Sequence, residues 1–121
     1  MGQCILVVED QEDNRQILRD LLTFSGFEIV EATDGAQALD AITKRRPDLI
    51  LMDIQLPVMD GYEATRRIKA DPATKDIPII VVTSYALSGD EAKARAAGSD
   101  DYVAKPFSPQ ALLTKIREYL D

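Results

Sequence analysis

The chain has 121 residues, of which 45% are hydrophobic and 29% charged, with a formal net charge of −7 and no histidine. This length predicts one globular domain, 1–121, and the negative charge argues against a surface that binds nucleic acid. Without histidine, no imidazole can serve as base, metal ligand or phosphoryl carrier, and the single cysteine, Cys4, excludes an internal disulfide.

Five short apolar segments predict β-strands. The segments 5–8, 49–52 and 77–82 lack polar alternation, which is typical of strands that are buried on both faces of a parallel sheet. Charges flank 27–31 and 101–105, which are therefore predicted to be edge strands. The first segment is too short for a signal peptide or a membrane span, so we expect a cytoplasmic protein with no membrane partner.

Helix signals separate the strands. Capping-box spacing predicts helix starts at four acidic or hydroxyl residues, and a Ser-Pro pair predicts a fifth: Asp13, Asp34, Asp60, Ser88 and Ser108. Gly26, Gly98, Pro47 and Pro72 mark helix ends. Apolar stripes predict the buried faces of the first and last helices: Ile17, Leu18, Leu21 and Leu22 in the first, and Leu112, Leu113, Ile116 and Leu120 in the last.

The alternation of strands and helices predicts an α/β fold. Five β-α units favour a five-stranded parallel sheet with helices on both faces. Because the apolar strands belong in the middle and the charged strands at the edges, the predicted strand order is 2-1-3-4-5.

Polar residues follow the strands at the carboxyl edge of this sheet, where ligands bind in such folds. Glu9 and Asp10 follow strand 1, Asp53 ends strand 3, Thr83 ends strand 4 and Lys105 ends strand 5. Three carboxylates together favour a hard divalent cation such as Mg²⁺. The ammonium of Lys105 can approach a phosphoryl oxygen, or pair with Asp53 in the absence of one.

Four sequence blocks closely resemble the response-regulator receiver domain of two-component signalling. They are ILVVED, LILMDIQLPVMDGYEA, IPIIVVTS and DDYVAKPF. The resemblance extends over essentially the whole chain, in order and at compatible spacing. It implies a receiver domain, 1–121, without an output domain, which is either a stand-alone regulator or the receiver of a larger protein such as a hybrid kinase. It implies a flavodoxin-like receiver fold and a phosphoacceptor signalling domain, rather than an enzyme, that promotes its own phosphorylation and dephosphorylation.

The resemblance also implies residue roles. Asp53 would accept the phosphoryl group from a phosphohistidine of a sensor histidine kinase or histidine phosphotransfer protein. Glu9, Asp10, Asp53 and the backbone carbonyl of Gln55 would bind Mg²⁺. Thr83 and Lys105 would each contact a phosphoryl oxygen, and the Lys105–Pro106 peptide would be cis.

A conformational switch is implied as well. Thr83 would turn toward the phosphoryl oxygens, and Tyr102 would fill the space that it leaves. The surface formed by helix 4, strand 5 and helix 5 would then bind a downstream protein. Pro57 and Gly61 would shape the loop after the acceptor strand.

Other functions fit the residues less well. A flavodoxin-type nucleotide binder would not place acids after strand 1, and a phosphatase of the haloacid-dehalogenase type would have Asp where this chain has Gln55. An EF-hand would need Gly in place of Arg15. A degenerate receiver that acts only as a docking module remains an alternative. Asp13 and Asp60 are expected to be helix caps rather than ligands. The resemblance implies that the small Ser84 leaves access to the phosphoryl group, and that Gln55 and Tyr85 occupy positions that tune the phosphoryl lifetime in relatives.

Overall fold

A computed structural model describes residues 3–83, 90–105 and 107–120 of the chain. Strands and helices alternate along it, as predicted. The strands are β1 (Cys4–Val8), β2 (Glu28–Ala32), β3 (Leu49–Asp53), β4 (Ile79–Thr83) and β5 (Asp101–Ala104). The helices are α1 (Glu12–Phe24), α2 (Gly35–Lys44), α3 (Gly61–Ala70), α4 (Asp90–Ala97) and α5 (Pro109–Tyr119).

The five strands form one parallel sheet in the order β2-β1-β3-β4-β5, which confirms the predicted topology. β1, β3 and β4 are buried along their whole length, whereas β2 and β5 are only partly buried at the two edges. In the central pair, Asp53 of β3 is in register with Val82 of β4. All five strands therefore end at the same edge of the sheet.

Helices cover both faces of the sheet, each over its own apolar cluster. One cluster joins α1 and α5 to the sheet through Leu18, Leu22, Leu112 and Ile116. The other joins α2, α3 and α4 to the opposite face through Ala38, Ile42, Ala64, Ile68 and Ala94. Burial of these side chains on both faces accounts for the uninterrupted apolar sequence of the central strands.

Local signals set most of the helix boundaries. The side chains of Asp34, Asp60 and Ser108 each accept a hydrogen bond from the backbone N–H three residues later, which confirms these three caps. The prediction that Asp13 caps α1 is wrong. The N-cap is Gln11, whose side chain makes no capping hydrogen bond, and Asp13 lies in the first turn, where a carboxylate interacts favourably with the helix dipole.

The apolar stripe of α1 is narrower than predicted. Leu18 and Leu22 are buried and Leu21 packs partly against them, but Ile17 is 60% exposed because it lies beside the face that meets the sheet. The strand limits differ from the predicted segments by one or two residues. For example, β4 begins at Ile79, after Pro78, rather than at residue 77. The predictions for Ser84, Tyr85, Ser88 and the Lys105–Pro106 peptide lie outside the described residues.

Candidate functional site

Acidic side chains from two strand ends meet at the carboxyl edge of the sheet. Glu9 and Asp10 follow β1, and Asp53 is the last residue of β3. One carboxylate oxygen from each of the three lies within 4.8 Å of the others. They line a pocket of about 330 Å³, together with Gln11, Asn14 and Gln55. The structure thus brings the three predicted acids into one site.

Glu9 is the most buried of these acids, and a cation compensates its charge. Its Oε1 accepts a hydrogen bond from Lys105 Nζ at 2.7 Å, and its Oε2 accepts one from the backbone N–H of Gln11 at 3.1 Å. Burial alone would raise the pKa of Glu9, but these two hydrogen bonds hold the pKa below its ordinary value. Glu9 is therefore ionised at neutral pH although it is almost fully enclosed.

The negative charge of the Asp53 carboxylate is less well compensated than that of Glu9. Its Oδ2 lies 3.7 Å from Lys105 Nζ, and its Oδ1 accepts a long hydrogen bond of 3.4 Å from the backbone N–H of Gln55. Burial, together with the neighbouring charge of Glu9, raises the pKa of Asp53 to about 6. The predicted pairing of Lys105 with Asp53 is thus present, but the shorter contact of Lys105 is with Glu9.

The loop after β3 packs directly on the backbone of Asp53. A Cβ built at Gly61 would overlap the carbonyl oxygen of Asp53 and would lie 2.9 Å from the Cα of Ile54. The N–H of Gly61 also donates to the carbonyl oxygen of Ile54 at 3.0 Å. Only glycine permits this approach, so Gly61 helps to fix the end of β3.

Thr83 and Tyr102 lie on neighbouring strands at the same face of the sheet. Tyr102 is in register with Val81, and Thr83, two residues further along β4, with Ala104. Thr83 is 3% exposed, whereas Tyr102 is partly buried against the cluster that includes Ala94 of α4. The two proposed switch residues are therefore close in the sheet, and one of them adjoins α4.

The donor set of the pocket suits a hard divalent cation. Its charged groups are the carboxylates of Glu9, Asp10 and Asp53, and oxygen is the ligand atom that Mg²⁺ prefers. Burial, followed by repulsion from the negative charge of Glu9, raises the pKa of Asp53 despite the opposing effect of Lys105. A bound cation would relieve this repulsion, so the residues fit the predicted metal.

Sequence reasoning missed Arg15 as a member of this region. Arg15 Nη1 donates to the carbonyl oxygens of Glu9 and Asp10, at 3.0 and 3.3 Å. A signal was available, because side chains of the first helical turns point back toward the helix N-terminus and α1 begins directly after the acids. Gln11 and Asn14, which also line the pocket, were not singled out either.

In the described ranges 3–83, 90–105 and 107–120, none of the helices combines the length and apolar character needed to cross a bilayer. Comparison with known proteins is more informative. Residues 5–117 match the family model of the response regulator receiver domain. Over 120 residues, the chain is 42% identical to the polar-differentiation response regulator DivK of Brucella anthropi, which covers 99% of this chain and 98% of DivK.

Solved structures agree. The receiver domain of the sensor histidine kinase PA1611 from Pseudomonas aeruginosa, which has a magnesium ion coordinated in its active-site cleft, superposes with a TM-score of 0.91 at 40% identity, covering 98% of each chain. A response regulator from Chloroflexus aurantiacus, described as putative, superposes with a TM-score of 0.95 at 33% identity, covering 99% of this chain and 98% of its own. Fold, sequence and family model therefore agree that this chain belongs to the response-regulator receiver domains of two-component signalling.

Proposed function

We propose that this receiver domain accepts a phosphoryl group on Asp53 from a phosphohistidine of a partner protein, in a reaction that requires Mg²⁺. The observation that carries this proposal is the position of Asp53, a carboxylate at the end of a central strand, within 4.8 Å of two further acids and beside Lys105. In the transfer, an Asp53 oxygen forms a bond to phosphorus while the bond from phosphorus to the donor imidazole breaks. The electron pair of that bond returns to the imidazole nitrogen.

Glu9, Asp10 and Asp53 would hold the cation, with the backbone carbonyl of Gln55 as the remaining protein ligand. When bound, Mg²⁺ supplies positive charge that offsets the repulsion between a carboxylate nucleophile and an anionic phosphoryl group. The supporting observations are the close carboxylate oxygens and the raised pKa of Asp53. The magnesium in the cleft of the PA1611 receiver domain supports the same assignment.

Lys105 would stabilise the charge on the transferred group. Its Nζ lies between two acids, 2.7 Å from Glu9 Oε1 and 3.7 Å from Asp53 Oδ2. The ammonium thus lies beside the nucleophile, where it can contact a phosphoryl oxygen bound to Asp53 while Glu9 holds it in place. Thr83 would contact another phosphoryl oxygen, which is supported by its place at the end of β4, next to β3.

Phosphorylation would switch a protein-binding surface formed by α4, β5 and α5. In this proposal, Thr83 turns toward the phosphoryl group and Tyr102 moves into the space that it leaves. Tyr102 packs against the cluster that contains Ala94, so its movement would be transmitted to α4. The phosphoryl group can shift the equilibrium only as far as its contacts differ between the two arrangements.

The proposed donor is a sensor histidine kinase or a histidine phosphotransfer protein, and the proposed location is the cytoplasm. These 121 residues contain no histidine, so they cannot supply the phosphohistidine themselves. Residues 1–121 would form one receiver unit, which is supported by the joining of all five strands in a single sheet.

Intact-mass measurement after incubation with acetyl phosphate and Mg²⁺ tests the proposal. The parent protein should gain one phosphoryl group, and Asp53→Asn should gain none. Asp13→Asn is the matched control, because Asp13 is exposed in the first turn of α1 and is outside the acidic cluster. Equal labelling of Asp53→Asn and the parent would refute the assignment. A parent that stays unlabelled but still binds its partner would support the docking-module alternative.

A further inference from the structure

The guanidinium of Arg15 lies against the backbone of the loop that carries two of the acids. Its Nη1 donates to the carbonyl oxygens of Glu9 and Asp10, at 3.0 and 3.3 Å. The Arg15 side chain is only 13% exposed, which is low for an arginine on a helix of an acidic protein. It contacts no atom of the carboxylates of these two residues in the described hydrogen bonds, only their carbonyl oxygens.

Two further ion pairs hold the guanidinium in this place. Nη2 lies 2.8 Å from Glu12 Oε2, and Nε lies 3.1 Å from Glu31 Oε1 on the edge strand β2. The backbone N–H of Arg15 closes the first turn of α1 on the carbonyl oxygen of Gln11, at 2.9 Å. The side chain is thus tied to β2, to its own helix and to the β1–α1 loop, with the planar donor geometry that distinguishes Arg from Lys.

The contacts on the two sides of this loop are opposite in character. The carbonyl oxygens of Glu9 and Asp10 contact the guanidinium, whereas their carboxylates lie within 4.8 Å of a carboxylate oxygen of Asp53. Glu9 has other restraints, because its N–H bonds to Ala32 and its carboxylate to Lys105 and Gln11. Asp10 is exposed, and among the described hydrogen bonds its carbonyl oxygen accepts one from Arg15, which restrains the backbone at this residue.

We propose that Arg15 is a positioning residue for the divalent-cation site. It fixes the backbone of Glu9 and Asp10 so that their carboxylates converge with that of Asp53 before the cation binds. Without this contact, cation binding would have to order the loop, and the lost conformational freedom would weaken the binding. This inference rests on the proposed function, since it assumes that the three acids hold Mg²⁺.

Long-range electrostatics predicts the opposite effect on cation binding when Arg15 is replaced by an uncharged residue. Arg15 is a positive charge close to three acids, so its removal should strengthen the attraction of the site for a cation if charge alone matters. Positioning predicts that removal weakens the binding. The direction of the change in Mg²⁺ affinity therefore separates the two effects.

Arg19 provides a matched control for charge. Like Arg15, it pairs with Glu12, at 3.5 Å, and with Glu31, at 2.7 Å, but its described hydrogen bonds go to Glu31 and none goes to a carbonyl of the acidic loop. Arg19→Gln removes one positive charge and part of the same ion-pair network. It leaves the carbonyl contacts of Arg15 intact.

The experiment is calorimetric titration of metal-free protein with MgCl₂, for the parent, Arg15→Gln, Arg15→Lys and Arg19→Gln. Arg15→Gln should raise the dissociation constant roughly tenfold to a hundredfold, the range typical of groups that orient metal ligands. Arg19→Gln should leave the dissociation constant unchanged or lower it slightly. Arg15→Lys, which keeps the charge and a donor, should fall between Arg15→Gln and the parent.

A second readout separates positioning from a general loss of structure. With acetyl phosphate as phosphoryl donor, Arg15→Gln should need a higher Mg²⁺ concentration for half-maximal labelling but should reach the parental rate at saturating Mg²⁺. A dissociation constant for Arg15→Gln equal to or below that of Arg19→Gln would overturn the inference and leave the proposed function intact. A parent that binds no Mg²⁺ would overturn both. If Arg15→Gln does not fold, judged by circular dichroism, an Arg15→Lys affinity equal to the parent's would overturn the inference and a weakened one would support it.

Discussion

Lys105 Nζ is 1.0 Å closer to Glu9 than to Asp53, because its hydrogen bond to Glu9 Oε1 is 2.7 Å and its distance to Asp53 Oδ2 is 3.7 Å. The cation thus primarily compensates the most buried acid of the site. Burial of Asp53, together with the neighbouring negative charge of Glu9, raises the pKa of Asp53 to about 6.

The Lys105–Glu9 pair predicts strong coupling between these residues. Lys105→Met leaves the buried carboxylate of Glu9 without its cation. The free energy of unfolding should therefore fall by about 3 kcal/mol, the lower end of the range for breaking a buried ion pair. In a Glu9→Gln background, the most buried of the charges is absent and Lys105 keeps only its longer contact of 3.7 Å to Asp53, so the same substitution should have a smaller effect. Chemical denaturation of the four proteins in this double-mutant cycle gives the coupling energy, which should be about 1–3 kcal/mol. Additive effects would contradict the description of Lys105 as the partner of Glu9.

The raised pKa of Asp53 predicts a pH dependence of stability in the absence of metal. The folded state holds the Asp53 proton up to about pH 6, whereas the ordinary pKa is 3.8, so the folded protein loses stability as the pH rises between these values. Asp53→Asn removes this effect. Near neutral pH, Asp53→Asn should therefore be more stable than the parent by about 1–3 kcal/mol, after allowance for solvent screening.

Urea unfolding of both proteins in chelator-treated buffer measures this difference. The difference in free energy of unfolding between Asp53→Asn and the parent should shrink as the pH falls toward about 4, because Asp53 is then protonated in the folded parent. Added Mg²⁺ should stabilise the parent more than Asp53→Asn. A stability difference that is constant across this range would show that ionisation of Asp53 does not disfavour the metal-free fold.

The close packing of Gly61 on Asp53 should couple the start of α3 to the position of β3. In Gly61→Ala, the added Cβ would overlap the carbonyl of Asp53, so either β3 or α3 must move. The expected loss of stability is about 1–3 kcal/mol, with slower phosphoryl labelling at Asp53, measured by denaturation and intact mass.

Gly26→Ala is the control for Gly61→Ala. Gly26 has φ +95, and a Cβ there meets nothing within 4 Å, so alanine is strained only by the backbone conformation. The expected loss is about 1–2 kcal/mol, with unchanged labelling because Gly26 follows α1 at the other end from the site. Slowed labelling in both variants would mean that reduced stability, rather than the position of Asp53, limits the reaction.

Lys69 makes contacts that should stabilise the fold independently of the acidic pocket. Its Nζ donates to the carbonyl oxygens of Lys75 and Ile77 and to Asp100 Oδ2, all within 2.9 Å, where β4 and β5 begin. Lys69→Met removes these three hydrogen bonds, while Asp100 Oδ2 still accepts one from the backbone N–H of Ile79, so the substitution should lower the free energy of unfolding by about 1–3 kcal/mol.

Lys44→Met provides the comparison for Lys69→Met. The Lys44 side chain is 75% exposed and pairs only with the exposed Asp40 in the described ion pairs, so its loss should change stability by less than about 0.5 kcal/mol. Thermal unfolding of both variants measures the contrast. Both should still be labelled at Asp53, and loss of labelling in Lys69→Met would indicate coupling across the sheet.

The sequence was sufficient to predict features that depend on short segments. Uninterrupted apolar strands, such as β1 and β3, indicated the parallel sheet, and the acids at their ends indicated the site, because strand ends in such a sheet share one edge. The caps at Asp34 and Asp60 followed from the same kind of local pattern.

Features that depend on three-dimensional placement were not predictable in the same way. Gln11 rather than Asp13 caps α1, because the chain turns into the helix two residues earlier than the capping-box spacing indicates. The exposure of Ile17 depends on how α1 is rotated against the sheet. The preference of Lys105 for Glu9 depends on where the buried charge lies, and the role of Arg15 depends on the position of Glu31 on a distant strand.

The account depends on the acidic pocket being a cation-dependent phosphoryl site. The most direct test is a crystal structure of the protein with Mg²⁺ and beryllium fluoride, a mimic of the phosphoryl group. We expect a cation held by Glu9, Asp10 and Asp53, with the beryllium fluoride bound to an Asp53 oxygen and contacted by Lys105. Well-ordered crystals that show neither ion in this pocket at saturating concentrations would contradict the account.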